Sequence, residues 1–330
     1  DEYLEFDGLK AMIAAISMTS NLVGPRTPGS SYLLLMRPLS LASSNLGAAH
    51  DPRRQYLRGS TGLPVGGMGS VTRAMQSSLE AAGGKVRTES AVSRILAGDD
   101  GVRGVVLETG EEIHASIVAS NVHPRTTLLD MVEVGRLDRD FRDQLAKQPR
   151  RGSAFKMVLA LDDLPRFAAA PKGLETKFAG CQFRLAPTLD YMERAYDDAK
   201  LGRPSASPIF LGLTPTVADP SVAPPGKHLM SVNIWHAPAE LASGTWAEER
   251  ERFGMQCIDV MAEYIPNLKN AMVGHRFLSP LDLENEFGLL DANIMHLDMT
   301  PSRMFGLRPL AGWADYRTPI SGLYLCGSGT

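Results

Sequence analysis

The residues of this chain that are best placed to do chemistry are the small residues at its carboxyl end. An apolar segment, Leu323 to Cys326, runs directly into Gly327-Ser328-Gly329-Thr330. A glycine-rich turn after an apolar strand is typical of the edge where α/β folds bind a cofactor, because the backbone there can approach a ligand closely. An ordinary strand-ending turn has the same composition, so the pattern alone leaves both interpretations open.

A second glycine-rich segment lies between Pro64 and Ser70. Its residues Gly66-Gly67-Met68-Gly69-Ser70 come directly before a predicted helix, and N–H groups at the start of a helix can bind a phosphate. The segment is neither Gly-x-Gly-x-x-Gly after a strand nor a Walker A loop. A tight turn also requires glycine, and it is the favoured interpretation.

Other common catalytic groups do not form recognisable motifs. The seven histidines are scattered, and His236 and His296 have no partner at ligand spacing, so we expect hydrogen-bonded structural roles for them. The sequence contains no Gly-x-Ser-x-Gly elbow of a serine hydrolase and no cysteine or histidine cluster with zinc spacing. We therefore predict no bound metal.

Composition restricts the class of protein. The chain has 330 residues, of which 44% are hydrophobic, and a formal net charge of -3. This length suggests two domains, and the charge argues against a nucleic-acid partner, which requires surplus Lys and Arg. The best membrane-span candidate, Leu9 to Met18, is too short and contains Lys10. Three separated cysteines favour a reducing compartment, which is the cytoplasm or, in a eukaryote, the mitochondrion.

The elements that must position these segments follow two patterns. The first part of the chain is predicted to contain a helix over Leu4–Ser17, a helix over Tyr32–Leu35, and a loop or lid over Leu41–Gly62. An α/β unit follows, with a helix capped by Ser70 and closed by Gly83-Gly84. Its predicted strands cover Lys85–Leu96, Val102–Leu107, the region of Ile113, and a buried Ile117–Ala119. Beyond it, an α+β second domain is predicted. Its helices cover Thr126–Val132, Pro187–Lys200 and Glu248–Tyr264, and its strands cover Phe155–Leu161, Pro208–Leu213 and His228–Trp235.

Several motifs occur in a fixed order along the chain. They are Pro64–Val71, Ala82–Thr88, Ala91–Ile95, Ala119-Ser120-Asn121-Val122-His123-Pro124, and the terminal Arg308-Pro309 with Tyr316–Thr330. Together they resemble the phytoene desaturase-type flavin oxidoreductases. The similarity covers essentially the whole chain, and the ordered series is far more specific than any one motif.

The resemblance implies FAD and a two-domain fold. A partial, Rossmann-like flavin-binding domain (residues 56–124 and 310–330) would be interleaved with a mixed-sheet substrate domain (residues 1–55 and 125–309). By position, the backbone of Val92 would meet the adenine end of FAD, and Asn121 would lie near the same crevice. The pyrophosphate and ribityl would be met by Gly327, Ser328, Gly329 and Thr330.

The resemblance also implies a reaction. A hydride would pass from a C–H bond of a small hydrophobic, isoprenoid-like or amine-like substrate to the flavin, and the electrons would then pass to oxygen, a quinone or NAD(P). His296 and Arg308 are the residues expected to face the substrate. The family's N-terminal Gly-x-Gly-x-x-Gly and its C-terminal His-Pro-Gly-Gly-Gly are missing. We therefore expect a fragment, cut at both ends, that binds FAD weakly or not at all, while a longer parent protein is the holoenzyme.

Two alternatives remain beside the oxidoreductase. The first is a non-catalytic scaffold or assembly protein with the same fold and a vestigial flavin site. The second is a peripheral lipid-binding module that uses the helix Leu9–Ile16 and the Leu33–Leu35 run. Contact with a membrane surface and a homodimer are both compatible with the sequence.

Overall fold

The computed structural model describes residues 3–18, 22–34, 62–152 and 154–330. By their internal packing, the residues form two compact units, each built from two separated stretches of chain. The first unit comprises residues 1–79 and 153–281, and the second comprises residues 80–152 and 282–330. These units are defined by packing, whereas the predicted substrate and flavin domains are defined by function. The functional assignment of the segments therefore stays a prediction.

Helices and strands alternate irregularly along the described residues. The helices are α1 (Asp7–Ser17), α2 (Gly69–Ala81), α3 (Arg139–Ala146), α4 (Glu175–Ala179), α5 (Leu189–Lys200), α6 (Trp246–Ala262), α7 (Leu268–Ala271) and α8 (Pro280–Phe287). The strands are β1 (Val92–Gly98), β2 (Gly101–Leu107), β3 (Glu112–His114), β4 (Val118–Ser120), β5 (Phe155–Leu161), β6 (Phe183–Leu185), β7 (Ile209–Leu213), β8 (His228–Trp235), β9 (Met272–Leu278) and β10 (Leu323–Leu325).

A five-stranded sheet forms the centre of the first unit, with its strands in the order β6-β7-β8-β5-β9. All neighbouring strands are antiparallel. Because side chains alternate between the two faces of a strand, Phe155, Met157, Leu159 and Leu161 of β5 are buried on one face. This face packs against α6, where the ring of Phe253 lies edge-on to Phe155 with 5.1 Å between the centroids.

The start of α6 is fixed by its own sequence. Thr245 and Glu248 form a capping box, in which the Glu248 carboxylate accepts from the backbone N–H of Thr245 at 3.0 Å and from its hydroxyl at 2.9 Å. Phe253, Cys257 and Met261 then follow at helical spacing and are buried against the sheet. The cap and the apolar stripe together specify where the helix begins and which side faces the core.

The opposite face of the sheet is covered in part by α1 and α5. Ala11, Ala15 and Met18 pack with Met192 of α5 and Trp235 of β8 in a separate apolar cluster. The helix that the lipid-binding alternative invokes therefore buries part of its apolar face within the first unit. A membrane contact made by its remaining surface stays a prediction.

The second unit contains two small sheets. β1, β2 and β3 form an antiparallel meander, and β4 pairs with β10 in parallel. Both sheets contribute to one apolar cluster, which includes Ile95 of β1 and Leu323 of β10. Asp138 caps α3 beside them, because its side chain accepts hydrogen bonds from two N–H groups of the first turn.

Much of the predicted secondary structure is confirmed. β5 and β8 have the predicted bounds, and the predicted helices near α1, α5 and α6 and the strand β7 are present with slightly different ends. No helix among the described residues is long and apolar enough to cross a membrane. The loop predicted over Leu41–Gly62 lies outside the described residues except for Gly62, as does Leu35 at the end of the second predicted helix.

Two predictions around α2 are wrong. The helix begins at Gly69, so Ser70 lies in its first turn rather than at the N-cap, and its hydroxyl donates to the carbonyl of Gly67 at 2.7 Å. β1 begins at Val92, and the preceding residues 85–91 have no strand partner among the described residues. Alternating polarity indicates a strand only where a neighbouring strand supplies the hydrogen bonds.

Two further predictions need correction. The strand predicted as buried over Ile117–Ala119 begins at Val118 and is only partly buried, because Ile117 is 66% exposed. The helix predicted over Thr126–Val132 contains a π-helical turn, Thr126–Asp130, instead of a regular α-helix. Short elements of this kind depend on tertiary contacts that sequence periodicity does not report.

Candidate functional site

The carboxyl ends of two parallel strands meet in the second unit. Residues Val118 to Ser120 of β4 pair in register with Leu323 to Leu325 of β10, and the N–H of Cys326 donates to the carbonyl of Ser120 at 2.8 Å. Asn121 and Gly327 therefore lie side by side at one edge. A Cβ atom built on Gly327 would be 3.6 Å from the Cβ of Asn121. The structure thus brings together two residues that the sequence assigned to one cofactor site.

The segment after β10 presents backbone donors. Gly327 has φ 82°, a left-handed conformation that favours glycine. The N–H groups of Gly327, Ser328 and Gly329 have no acceptor among the described residues, and Gly327 and Ser328 are exposed. Thr330 closes the segment by donating its hydroxyl to the carbonyl of Gly327 at 2.9 Å. Consecutive backbone N–H groups at such a turn can bind an anion or another oxygen acceptor.

Arg308 holds this glycine-rich segment in place through hydrogen bonds from its side chain. Its side chain is buried, and its guanidinium donates to the carbonyl of Ser328 from Nη2 at 2.5 Å and from Nε at 3.1 Å. The same Nη2 donates to the carbonyl of Met295 at 2.5 Å, and Nη1 lies 3.4 Å from that of Leu297 and 3.3 Å from that of Asp298. Arg308 therefore ties the glycine-rich segment to the loop over residues 295–298.

The charge of Arg308 is only partly compensated. The carboxylate of Asp298 is buried, but it accepts a hydrogen bond from Nε of Arg151 at 3.0 Å rather than from Arg308. Burial lowers the pKa of Arg308 to about 10, and the charge of Asp298 opposes that shift. The guanidinium remains protonated at neutral pH, so it contributes a positive potential beside Ser328. Its role in facing a substrate stays a prediction, since the hydrogen bonds that its guanidinium donates within the described residues all go to backbone carbonyls.

Two histidines lie next to the glycine-rich segment. Their rings are 5.4 Å apart, and Nε2 of His123 donates to the carbonyl of His296 at 2.5 Å. Nδ1 of His123 accepts from the N–H of Arg125 at 3.0 Å, which fixes the neutral tautomer. Nδ1 of His296 is buried without a partner among the described residues, and a Cβ on Gly329 would be 3.4 Å from it. An unsatisfied ring nitrogen at this edge suits a ligand that supplies a hydrogen-bond partner.

The neutral state of His123 predicts a pH dependence of stability. Burial lowers its pKa from 6.5 to about 4, so the unfolded chain binds a proton that the folded chain cannot bind between these values. We expect the contribution of neutral His123 to the free energy of unfolding to be fully present above pH 6.5. As the pH drops to about 4, the free energy of unfolding should fall by about 2–3 kcal/mol. Urea unfolding at several pH values measures this slope.

The matched variants for this experiment are His123→Gln and His114→Gln. Glutamine at position 123 does not titrate, so the variant should lose that part of the slope, whereas His114 is exposed on β3 and serves as the control. A His123→Gln protein with the same pH slope as the unmodified protein would contradict the assignment of the slope to His123.

The other glycine-rich segment is a tight turn. Gly66 and Gly67 have φ values of 81° and 78°, and the N–H of Gly66 donates to the carboxylate of Asp219 at 2.6 Å. The N–H that could contact a phosphate is thus occupied by a carboxylate of the same unit, whose charge would repel an anion. The structure favours the turn, as the sequence did.

Val92 lies on β1, and three residues near the candidate site were not identified from the sequence. Val92 starts β1, where it pairs with Leu107 in the three-stranded sheet, and its contact with FAD stays a prediction. His123, Arg151 and Asp298 were not singled out by the sequence. The position of His123 two residues after Asn121, at the end of a strand, was the one usable signal. No group of three or more metal-ligating side chains occurs within the part of the chain that the structure describes.

The arrangement fits a flavin-type cofactor. Its features are two parallel strand ends, exposed N–H donors, a buried guanidinium and an unsatisfied ring nitrogen, which together suit a ligand rich in phosphate and hydroxyl oxygens. The fold and this edge define an α/β cofactor-binding protein. The chain belongs to the family of flavin containing amine oxidoreductases, whose model matches residues 28–330.

Individual relatives agree with this family. The chain is 32% identical to the rat (Rattus norvegicus) pyridine nucleotide-disulfide oxidoreductase domain-containing protein 2 over 337 residues, which cover 100% of this chain and 56% of that protein. It is 25% identical over 281 residues to the lycopene-forming phytoene desaturase of Pseudescherichia vulneris, covering 81% of this chain and 51% of that protein. The chain thus spans about half the length of these curated relatives.

A solved structure supports the fold. An oxidoreductase from Methanosarcina mazei superposes with a TM-score of 0.55 at 17% identity, covering 98% of this chain and 63% of that chain. The family and the α/β flavin-binding fold predicted from the sequence are therefore confirmed.

Proposed function

We propose that this chain is part of an FAD-dependent oxidoreductase that removes a hydride from a C–H bond of a hydrophobic or amine-like substrate. The observation that carries the proposal is the strand-end site, where N–H groups of the glycine-rich segment that have no acceptor among the described residues lie beside Asn121 and next to the buried Arg308. Membership of the flavin containing amine oxidoreductase family supports the cofactor class.

Each part of the site has a separate task in this proposal. Gly327, Ser328 and Gly329 donate N–H groups to the pyrophosphate and ribityl oxygens, and Arg308 keeps those donors in place while its charge offsets that of the phosphates. When bound, FAD supplies a two-electron acceptor for the hydride, so the protein needs no dedicated acid–base pair for that step. His296 lies at the same edge and is the proposed polar residue on the substrate side.

An absorbance spectrum tests the proposal. Both the protein purified from its source and the 330-residue chain are examined, before and after incubation with FAD, with FMN and riboflavin as controls. We expect flavin absorbance bands in the source protein and weak or no binding by the chain alone, with FAD preferred because only FAD carries the pyrophosphate and adenine.

The possible outcomes separate the alternatives. Absence of flavin from both proteins, even after reconstitution, would contradict the oxidoreductase and favour the scaffold or assembly protein. Stoichiometric FAD in the isolated 330-residue chain would contradict the expectation that a longer protein is required for binding. A substrate, an electron acceptor, a homodimer and a membrane contact remain separate predictions for the source protein.

A further inference from the structure

A lysine on the five-stranded sheet of the first unit has an unusual environment. Lys156 of β5 donates from Nζ to Oγ of Ser231 at 2.7 Å and to Oδ1 of Asn233 at 3.0 Å, both on the neighbouring β8. An ammonium group has three N–H donors, and the third has no acceptor among the described residues. Burial lowers the pKa of Lys156, and no carboxylate of the described residues shifts that pKa in the opposite direction.

Two further cationic residues lie on the strands of the sheet face that carries Lys156. Phe155, Phe183 and Phe277 belong to the core on the other face, so their strand neighbours Lys156, Arg184 and Arg276 share this one. None of the five strands of the sheet contains an aspartate or a glutamate. The strands thus place three cations and no acid on one face.

Apolar side chains continue from the lysine along the same face. Val158 lies two residues beyond Lys156 on β5 and pairs in register with Ser231 and Arg276, and Ala160 pairs with Leu229. Val158 is partly exposed and Ala160 is exposed. The part of this face that α1 and α5 cover lies around Trp235, toward the opposite end of β8 from Leu229. An apolar strip therefore begins beside the lysine.

We propose that this face binds an apolar carboxylic acid, with its carboxylate on Lys156 and its hydrocarbon chain along Val158 and Ala160. The inference rests on the proposed function, because the acid is the substrate class that it assigns to the oxidoreductase. A carboxylate accepts the third N–H of the ammonium and compensates a charge that burial leaves unpaired. An amine at the same position would meet the ammonium group of Lys156 and is disfavoured.

The sharpest test places a negative charge beside Lys156 without changing shape. Asn233→Asp keeps the oxygen that accepts from Nζ and supplies the missing carboxylate from the protein itself. The control is Asn270→Asp, at an exposed position of α7. The probes are hexadecanoate, hexadecan-1-ol and hexadecylamine, which share one hydrocarbon chain. The affinity of each probe is measured by its displacement of a bound fluorescent fatty acid, with the probe kept below its critical micelle concentration.

The expected result is a preference for the acid that depends on Asn233. The unmodified chain and Asn270→Asp should bind hexadecanoate about tenfold more tightly than the alcohol and bind the amine most weakly. Asn233→Asp should reduce the preference for the acid over the alcohol to less than about threefold and improve binding of the amine. Lys156→Met should also abolish the preference for the acid, and Lys156→Arg should retain it.

Specific outcomes would overturn the proposal. Equal binding of the three probes, no binding of any probe, or an acid preference unchanged in a folded Asn233→Asp chain would each do so. The test requires no flavin, so its failure is distinguishable from that of the proposed function. Flavin binding without acid selectivity would contradict the proposed acid site but not the oxidoreductase. Acid selectivity in a protein that never binds flavin would contradict the oxidoreductase but not the acid site.

Discussion

Arg308→Met is expected to lower the free energy of unfolding by about 3–5 kcal/mol and to abolish flavin binding by the holoenzyme. Methionine fills most of the same volume but donates no hydrogen bond. The carbonyls of Met295, Leu297, Asp298 and Ser328 would therefore lose the donor that now serves them, and those of Leu297 and Asp298 would be left buried without it. Loss of the guanidinium also removes the positive charge beneath the glycine-rich segment. Urea unfolding and an FAD titration measure the two effects.

Two further variants show which property of Arg308 matters. Arg308→Lys retains the charge but cannot reach four carbonyls at once, so it should recover part of the flavin affinity and little of the stability. Arg103→Met removes an exposed arginine that is paired with Asp100, and should cost less than about 1 kcal/mol. If Arg308→Met were as stable as the unmodified protein and only slowed turnover, Arg308 would be a substrate-facing residue, as the sequence suggested, and not a positioning residue.

The central strands of the sheet in the first unit were predictable because the alternation of residue types along each strand indicates which side chains face the core. Phe155-Lys156-Met157-Val158-Leu159 alternates strictly between core and opposite face, and β8 does the same from Met230 to Ile234. The helix predicted over Glu248–Tyr264 is likewise present as α6, which begins two residues earlier, at Trp246, after the cap at Thr245. In each case the local pattern and the tertiary environment specify the same structure, so sequence reasoning suffices.

Other elements lacked such a signal. β6 has only three residues, Phe183–Leu185, and becomes a strand because β7 supplies its partner. β9 carries His275 and Arg276 on an exposed edge, which breaks the apolar pattern of a strand. The residues from Lys85 to Ala91 have the opposite problem, since they alternate but have no partner among the described residues. A strand forms only where a neighbouring segment supplies its hydrogen bonds, and the sequence of one segment does not show whether that neighbour exists.

The candidate site was likewise predictable only in part. The glycine-rich segment was identified from its composition at the end of a strand, whereas Asn121 was assigned to the site through the family resemblance. The contact between His123 and His296 joins residues 173 positions apart, and nothing in either local sequence indicates it. Arg308 was named from the sequence, but only the structure shows that its donors are used on backbone carbonyls. The sequence therefore identifies candidate residues of the site, whereas their hydrogen-bond partners are known only from the folded structure.

Gly327→Val is expected to lower the affinity of the holoenzyme for FAD by about a hundredfold, which corresponds to about 2.7 kcal/mol. Gly327 has φ 82°, a conformation in which a β-branched residue is strained by about 1–3 kcal/mol. Its side chain would also project beside Asn121, at the edge where the ligand must approach the N–H groups. Urea unfolding and FAD titration separate the strain from the loss of binding.

The matched control is Gly312→Val, because Gly312 has the same φ of 82° and no atom within 4 Å of the position that a Cβ would take. The backbone strain is therefore the same in the two variants, and the location differs. Both should lose about 1–3 kcal/mol of stability, while only Gly327→Val should lose FAD affinity. Equal FAD affinity in the two variants would show that the strand-end edge is not where the cofactor binds, and the proposed function would lose the observation that carries it.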